Sequence, residues 1–174
     1  MPDCLDKMVT LRKLEPTDLP FLYQWENDAT AWSDGNNHNP LSQQDLREYI
    51  KSTTGDIYRD GQLRLIVMDG EQTVGCIDLF DLDIRNRRAA IGMYIAREVR
   101  GRGVGRSAVE ALEQYAFGFL RLRLLYCVIS VNNESCSNLY RSLEYTPSAQ
   151  LPAWTLEGDA VVWIKERKDE YDIR

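Results

Sequence analysis

The run Arg100-Gly101-Arg102-Gly103-Val104-Gly105-Arg106-Ser107 has the residue types that hold a phosphate. It lies between an apolar segment ending near Ala96 and an amphipathic stretch from Val104 to Phe119. Glycines let backbone approach an anion, and the first amides of a following helix point at it with the positive end of the helix dipole. Arg100, Arg102 and Arg106 add charge where a pyrophosphate would sit. A kinase-type loop fails, because Arg100 and Arg106 stand where glycine and lysine are required. A dinucleotide fingerprint is met formally by Gly103, Gly105 and Ala108. The next strand-like run, however, ends at Asn132-Asn133 without the acidic residue that pattern needs. The pattern [RQ]-x-x-G-x-[GA] is matched in full by Arg100, Gly103 and Gly105.

The elements that must position this loop follow from periodicity. Val9 and Leu11 alternate with polar residues as in a half-buried strand. Thr17 is expected to cap a helix carrying Phe21, Leu22 and Trp25. Ser42 with Asp45 has the form of a capping box for a helix carrying Leu46, Tyr49 and Ile50. Leu63–Met68 and Thr73–Phe80 flank Asp69-Gly70 as a hairpin, with a loop slightly longer than the shortest type, and Ala89–Ala96 continues the meander. After the glycine loop, Ala108, Leu112, Tyr115 and Phe119 mark one helix face. A strand over Leu124–Ser130, a helix from about Ser135 to Leu143 and a hairpin around Glu157-Gly158-Asp159 complete the chain. This order predicts an α/β fold with a mixed sheet. The strands ending at Ala96 and near Val131 are joined through a helix, so they should be parallel with a right-handed crossover.

The loop pattern on a strand–turn–helix resembles the acetyl-CoA signature of the GCN5-related N-acetyltransferase (GNAT) family. The segment from Val131-Asn132-Asn133 to Leu139-Tyr140 is similar to that family's second signature. Val74-Gly75-Cys76-Ile77-Asp78-Leu79 and Asn86-Arg87-Arg88-Ala89 resemble the branch of spermidine and ribosomal-protein acetyltransferases. The likeness spans roughly Met8 to Lys165. It implies a mostly antiparallel sheet in which one parallel strand pair splays apart, so that the pantetheine arm of acetyl-CoA pairs with Met93, Tyr94, Ile95 and Ala96. It further implies cofactor contacts at Arg100, Gly101, Arg102, Gly103, Val104, Gly105, Arg106 and Asn133, with Tyr140 facing the thiol.

The implied reaction is N-acetylation of a primary amine by direct attack on the thioester in a ternary complex. Tyr140 would protonate the leaving thiolate, since a phenol at about pKa 10 donates to a thiolate near 8.5 at little cost. A backbone N–H near Ile95 would meet the oxyanion. Where the spermidine branch carries a strand carboxylate this chain has Ala90, which leaves Asp78, Asp81 and Asp83 as acids. Asp78, inside its strand, is the candidate for proton relay or cation binding, and Asp81 and Asp83 read as turn residues. The same missing carboxylate also fits an acyl-CoA-binding or regulatory module without transfer activity.

A chain of 174 residues with 44% hydrophobic and 28% charged residues is expected to be one domain, its core at 8–165 and its charged tail at 166–174 frayed. A net charge of −6 argues against general nucleic-acid binding and suits a cationic acceptor such as a polyamine, a small amine or a protein N-terminus. Cys4, Cys76, Cys127 and Cys136 form no C-x-x-C pair, and there is no membrane-length apolar run or signal-peptide pattern. A cytoplasmic protein with reduced thiols is expected. His38 is a lone histidine, so no metal site is expected. Trp25 and Trp163 fit core positions, whereas Trp32 and Trp154 are pocket candidates. The segments choosing the acceptor lie in Asn27–Ser42 and Ser148–Asp159, and the last hairpin offers an edge for a homodimer.

Overall fold

The structure, a computed structural model, describes residues 9–29 and 39–168. Cys4, Trp32, His38 and the extreme tail lie outside them. Seven strands form one sheet in the order β1-β2-β3-β4-β5-β7-β6. They are β1 (Thr10–Lys13), β2 (Leu63–Asp69), β3 (Gln72–Asp83), β4 (Arg88–Ile95), β5 (Leu124–Ser130), β6 (Thr146–Thr155) and β7 (Gly158–Glu166). Every neighbouring pair is antiparallel except β4 and β5, which are parallel as the helical crossover requires.

Helices α1 (Leu19–Glu26) and α2 (Gln43–Ser52) cover one face of the sheet, where Leu22, Trp25, Leu46 and Ile50 pack on Ile66 and Cys76. A short α3 (Ile57–Asp60), which periodicity did not predict, leads into β2. The other face carries α4 (Val104–Glu113) and α5 (Glu134–Ser142) over the larger core, including Ala108, Leu112, Ile77, Leu79, Leu125 and Trp163. Trp25 and Trp163 are buried as expected.

Local chemistry sets most boundaries. Ser42 and Asp45 close the expected capping box on α2. At α1 the expected cap fails: Thr17 lies inside a 3₁₀ turn (Pro16–Asp18) and Glu15 with Asp18 forms the box. Asp18 is better placed, because its buried carboxylate also holds Arg12 of β1 at 2.7 Å and 2.8 Å. The β2–β3 loop is only Gly70-Glu71, shorter than expected, because Asp69 already pairs with Gln72 and Gly70 takes φ 61°. The helical run beyond Glu113 widens into a π-helix over Gln114–Phe119. β6 is an edge strand carrying Pro147 and Pro152, which blunt its capacity to pair with another chain.

Glu144 ends α5 at φ 66°, a region where glycine is preferred. Its N–H donates to Arg141 O at 3.0 Å and that of Tyr145 to Tyr140 O at 3.0 Å, the paired bonds of a Schellman terminus. The side chain reaches only an exposed lysine, Lys168, at 2.6 Å, an ion pair that solvent screens. Glu144→Gly is therefore expected to raise Tm by about 2–4 °C, measurable by thermal denaturation.

Candidate functional site

The parallel pair is short. Arg88, Ala89 and Ala90 of β4 pair with Leu124, Leu125 and Tyr126 of β5, after which the strands part. β4 continues along β3 as far as Ile95 opposite Gly75, while β5 continues along β7 to Ser130 opposite Ala160. Beyond Ala90, therefore, the β5-facing edge of β4 has no strand partner. Ala96 N donates to Val74 O at 2.8 Å. By the alternation of an antiparallel ladder, the amides and carbonyls of Met93 and Ile95 then point away from β3 and into the opening.

The glycine loop closes one end of this opening. Gly101 and Gly103 adopt φ 76° and 83°, and Gly103 serves as N-cap of α4 with no side chain capping the helix. The first intrahelical bond is Ser107 N to Gly103 O at 3.0 Å, so the amides of Val104, Gly105 and Arg106 have no intrahelical acceptor. Gly105 lets the helix start close to the strand: a Cβ there would meet the Met93 methyl at 3.3 Å and Leu139 of α5 at 3.6 Å.

The three arginines divide. Arg100 Nε donates to Ile95 O at 2.7 Å and its guanidinium lies 5.6 Å from the Tyr94 ring centre, which ties loop to strand end. Arg102 is exposed and free of side-chain partners among the described residues. Arg106 turns along α4 instead, to Glu110 at 3.1 Å and the Ser142 hydroxyl at 2.9 Å.

The other wall is α5. Asn133 caps it, its Oδ1 accepting from Cys136 N at 3.1 Å. Tyr140 is only 2% exposed and meets Tyr145 edge-on at 4.9 Å. Burial first, then the neighbouring Cys127 and Cys136, holds its phenol well above the usual value of 10. A group in this setting stays protonated, as a proton donor must.

On the α1 side, Cys76 and Asp78 of β3 share a face with Gly92 and Tyr94 of β4. Trp25 packs on Tyr94 at 5.6 Å, and Tyr94 donates to Asp28 at 3.1 Å. A cleft of about 310 Å³ opens here between Gln24, Trp25, Asp28, Tyr94, Arg97 and Glu98. Asp78 is not a lone carboxylate, since Arg64 clamps both of its oxygens at 2.9 Å and 2.7 Å and reaches Glu26 at 2.5 Å. Burial disfavours the charge on Arg64, but Asp78 outweighs it and keeps the guanidinium protonated. Asp81 accepts from the Tyr126 hydroxyl, a contact that crosses β4 at Ala90. Asp83 holds its own turn through Asn86 N at 2.9 Å and Arg88 at 3.2 Å. Trp154 stands 63% exposed on the β6–β7 hairpin and does not line the cleft.

Asp28 falls in the segment Asn27–Ser42 expected to choose the acceptor, whereas no pattern in the sequence singles out Glu26 or Tyr126. Arg64 carries a signal, as a charge inside the apolar run Leu63–Val67.

The acetyltransferase (GNAT) domain matches residues 8–146. The chain belongs to the GNAT family. It is 29% identical over 147 residues to the spermidine N(1)-acetyltransferase of Escherichia coli, covering 82% of this chain and 75% of that one. It is 32% identical over 136 residues to a putative ribosomal N-acetyltransferase of Bacillus subtilis, covering 75% and 73%. The fold is shared with a spermidine N-acetyltransferase of Vibrio cholerae crystallised with CoA and spermine (TM-score 0.84, 22% identity, 95% and 99% covered). The chain is thus an acyl-CoA-dependent N-acetyltransferase with acetyl-CoA as donor.

Gly103→Ala should relax out of φ 83° in the free protein and have to regain it on binding. CoA affinity measured by calorimetry is expected to fall by about tenfold, the effect of ~1.4 kcal/mol.

Proposed function

We propose that this GNAT enzyme acetylates a primary amine on a cationic acceptor, a polyamine, small amine or protein N-terminus, by direct attack in a ternary complex. The parting of β4 and β5 between the α4 N-terminus and Tyr140 carries this reading. Pyrophosphate would lie on the amides of Val104–Arg106 with Arg102, and the pantetheine amides would pair with Met93 and Ile95. Asn133 would flank the arm. Arg106, held by Glu110 and Ser142, would contribute through its backbone amide.

As the amine attacks, negative charge grows on the thioester oxygen, and the outward N–H groups of β4 near Ile95 are the donors nearest to hand in this arrangement. The carbon–sulfur bond then breaks, Tyr140 gives its proton to the departing thiolate, and the proton that the acylated nitrogen sheds to water returns the phenolate to the phenol. The acceptor would enter from the α1 side. Asp28, Glu98 and Arg97 line the cleft with one net negative charge, and Glu26, Asp78 and Arg64 sum to another beside it. These groups support a cation over a neutral acceptor. Asp78, with both oxygens on Arg64, suits electrostatic holding of the ammonium better than proton abstraction. Relatives named for spermidine and for ribosomal acetylation support a polyamine amine or a protein N-terminus. Free Cys76 and Cys127, both buried, support a reducing cytoplasmic setting. A homodimer through β6 belongs to the same reading, limited by Pro147 and Pro152.

Tyr140→Phe is expected to lower kcat by about 10²-fold or more with KM for acetyl-CoA nearly unchanged, read by thiol release with spermidine and small amines as acceptors. Unchanged kcat would remove Tyr140 from the reaction. With Tyr140 protonated past pH 10, kcat/KM in the native enzyme should rise as the acceptor ammonium deprotonates and show no descending limb below that pH. Asp78→Asn should raise KM for a cationic acceptor and leave CoA affinity intact, checked by acceptor titration and calorimetry.

A further inference from the structure

The end of the sheet farthest from the glycine loop collects cations that the reaction does not use. The β3–β4 turn supplies Arg85, Arg87 and Arg88, and the segment entering β5 supplies Arg121 and Arg123. Backbone bonds bring the two together: Arg123 N donates to Arg87 O at 2.6 Å and Leu124 N to the same oxygen at 3.3 Å. Arg88 is held by Asp83. Arg85, Arg87, Arg121 and Arg123 are exposed, and among the described residues none of their guanidinium groups has a side-chain partner.

Two of these four carry backbone strain. Arg87 has φ 52° and Arg121 φ 54°, where glycine or asparagine would relieve the turn. Arginine persists there in a chain whose net charge is −6. A cation near the C-terminal end of the α4 run is favoured by the helix dipole, which accounts for Arg121 or Arg123 but not for Arg85 and Arg87. Strain held at exposed, unpartnered residues points to a use outside the chain.

Aromatic groups adjoin the same loop. Phe119, two residues before Arg121, is 76% exposed and stacks on Tyr115 at 5.4 Å with an interplanar angle of 17°. Tyr115 of this stack lies toward Tyr58 and Asp56, and Phe119 is the ring two residues from Arg121. An exposed ring that close along the chain to unpaired guanidinium groups is a combination that holds unstacked bases and their phosphates. An acidic protein segment would use the arginines but not the ring.

We infer that the Arg85/Arg87/Arg121/Arg123 end with Phe119 is a docking surface for single-stranded nucleic acid, separate from the acetyl-transfer site. The net charge, an average over all faces, conceals it. Guanidinium groups take the phosphates and Phe119 stacks a base.

The test is fluorescence anisotropy of the full chain with labelled oligouridylate across a salt series. Binding should weaken with salt, and Arg121→Glu/Arg123→Glu should cut affinity at least tenfold and lower the salt slope by about 1.4, two phosphate contacts at ~0.7 each. Phe119→Ala should cost on the order of tenfold. Arg121→Gly, which relieves φ 54°, should raise Tm yet weaken binding, a combination that a folding defect cannot give. Acetyl transfer to a small amine should be unchanged in all three variants, so this inference and the transferase reading fail independently. Absence of oligouridylate binding by the native chain overturns it, as does equal binding by the charge-reversed variant. So does salt-sensitive self-association abolished by that variant, which would assign the surface to a second copy.

Discussion

The pairing of β4 with β5 stops after three residues, and the rest of the molecule is arranged around that interruption. One block of the sheet, β1 to β4, and another, β5 with β7 and β6, are each laddered internally apart from bulges. They meet only at Arg88–Ala90. An unpaired backbone edge in the middle of a sheet is costly unless water or a ligand completes it. The fold therefore has to keep the opening wet or fill it with a partner that pairs like a strand, and pantetheine, with its amides, is such a partner. The α4 helix spans both blocks from behind, packing Ala108 and Leu112 with Ile77 and Leu125 in one core. The opening is thus backed by a continuous core.

The two sides of the opening are tuned in opposite ways. Toward α5 the surroundings are largely apolar and raise the pKa of the Tyr140 phenol, so it stays protonated. Toward α1 the surroundings are charged, with Asp28 and Glu98 at the cleft and Glu26, Arg64 and Asp78 behind them. Ala90 belongs to this division. A carboxylate in its place would lie beneath the Tyr126–Asp81 bridge with only 2% exposure, adding a buried charge beside the exposed carboxylate of Asp81. The acidic groups sit farther out, on α1 and on β3, where an ammonium can reach them from solvent.

Periodicity and turn chemistry made most of the fold legible, because strands such as Leu124–Ser130 and the capping box at Ser42 are decided by neighbours in sequence. The glycine loop was readable for the same reason: positive φ at Gly101 and Gly103 is a local requirement. What could not be read depends on contacts between distant segments. Glu26 and Arg64 are separated by 38 residues and Tyr126 and Asp81 by 45, so no spacing rule connects them. The Thr17 cap failed through tertiary competition, since Arg12 makes Asp18 the better anchor. Arg106 has the right position for a phosphate, yet Glu110 lies one turn along its own helix and takes the guanidinium first. A tryptophan side chain alone marks Trp154 as a pocket candidate, and only the hairpin's course shows that it stands in solvent.

The residues with positive φ that are not glycine sort by what they gain. Asp81 reaches Tyr126 across β4, and Glu144 forms the α5 terminus and meets Lys168. Ala153 lies in the register shift between Leu151 and Thr155, its amide held by Asp159 at 2.9 Å. At Arg87 the carbonyl joins the two arginine-bearing segments, but neither its side chain nor that of Arg121 has a partner among the described residues. Strain that serves only a turn would be removed by glycine at no loss of contact. Arginine at both positions adds charge to a surface that the fold does not need charged, against an overall balance that is acidic. The end of the sheet opposite the glycine loop thus has a chemical character of its own, set by the two segments that the first residues of β4 and β5 bring side by side.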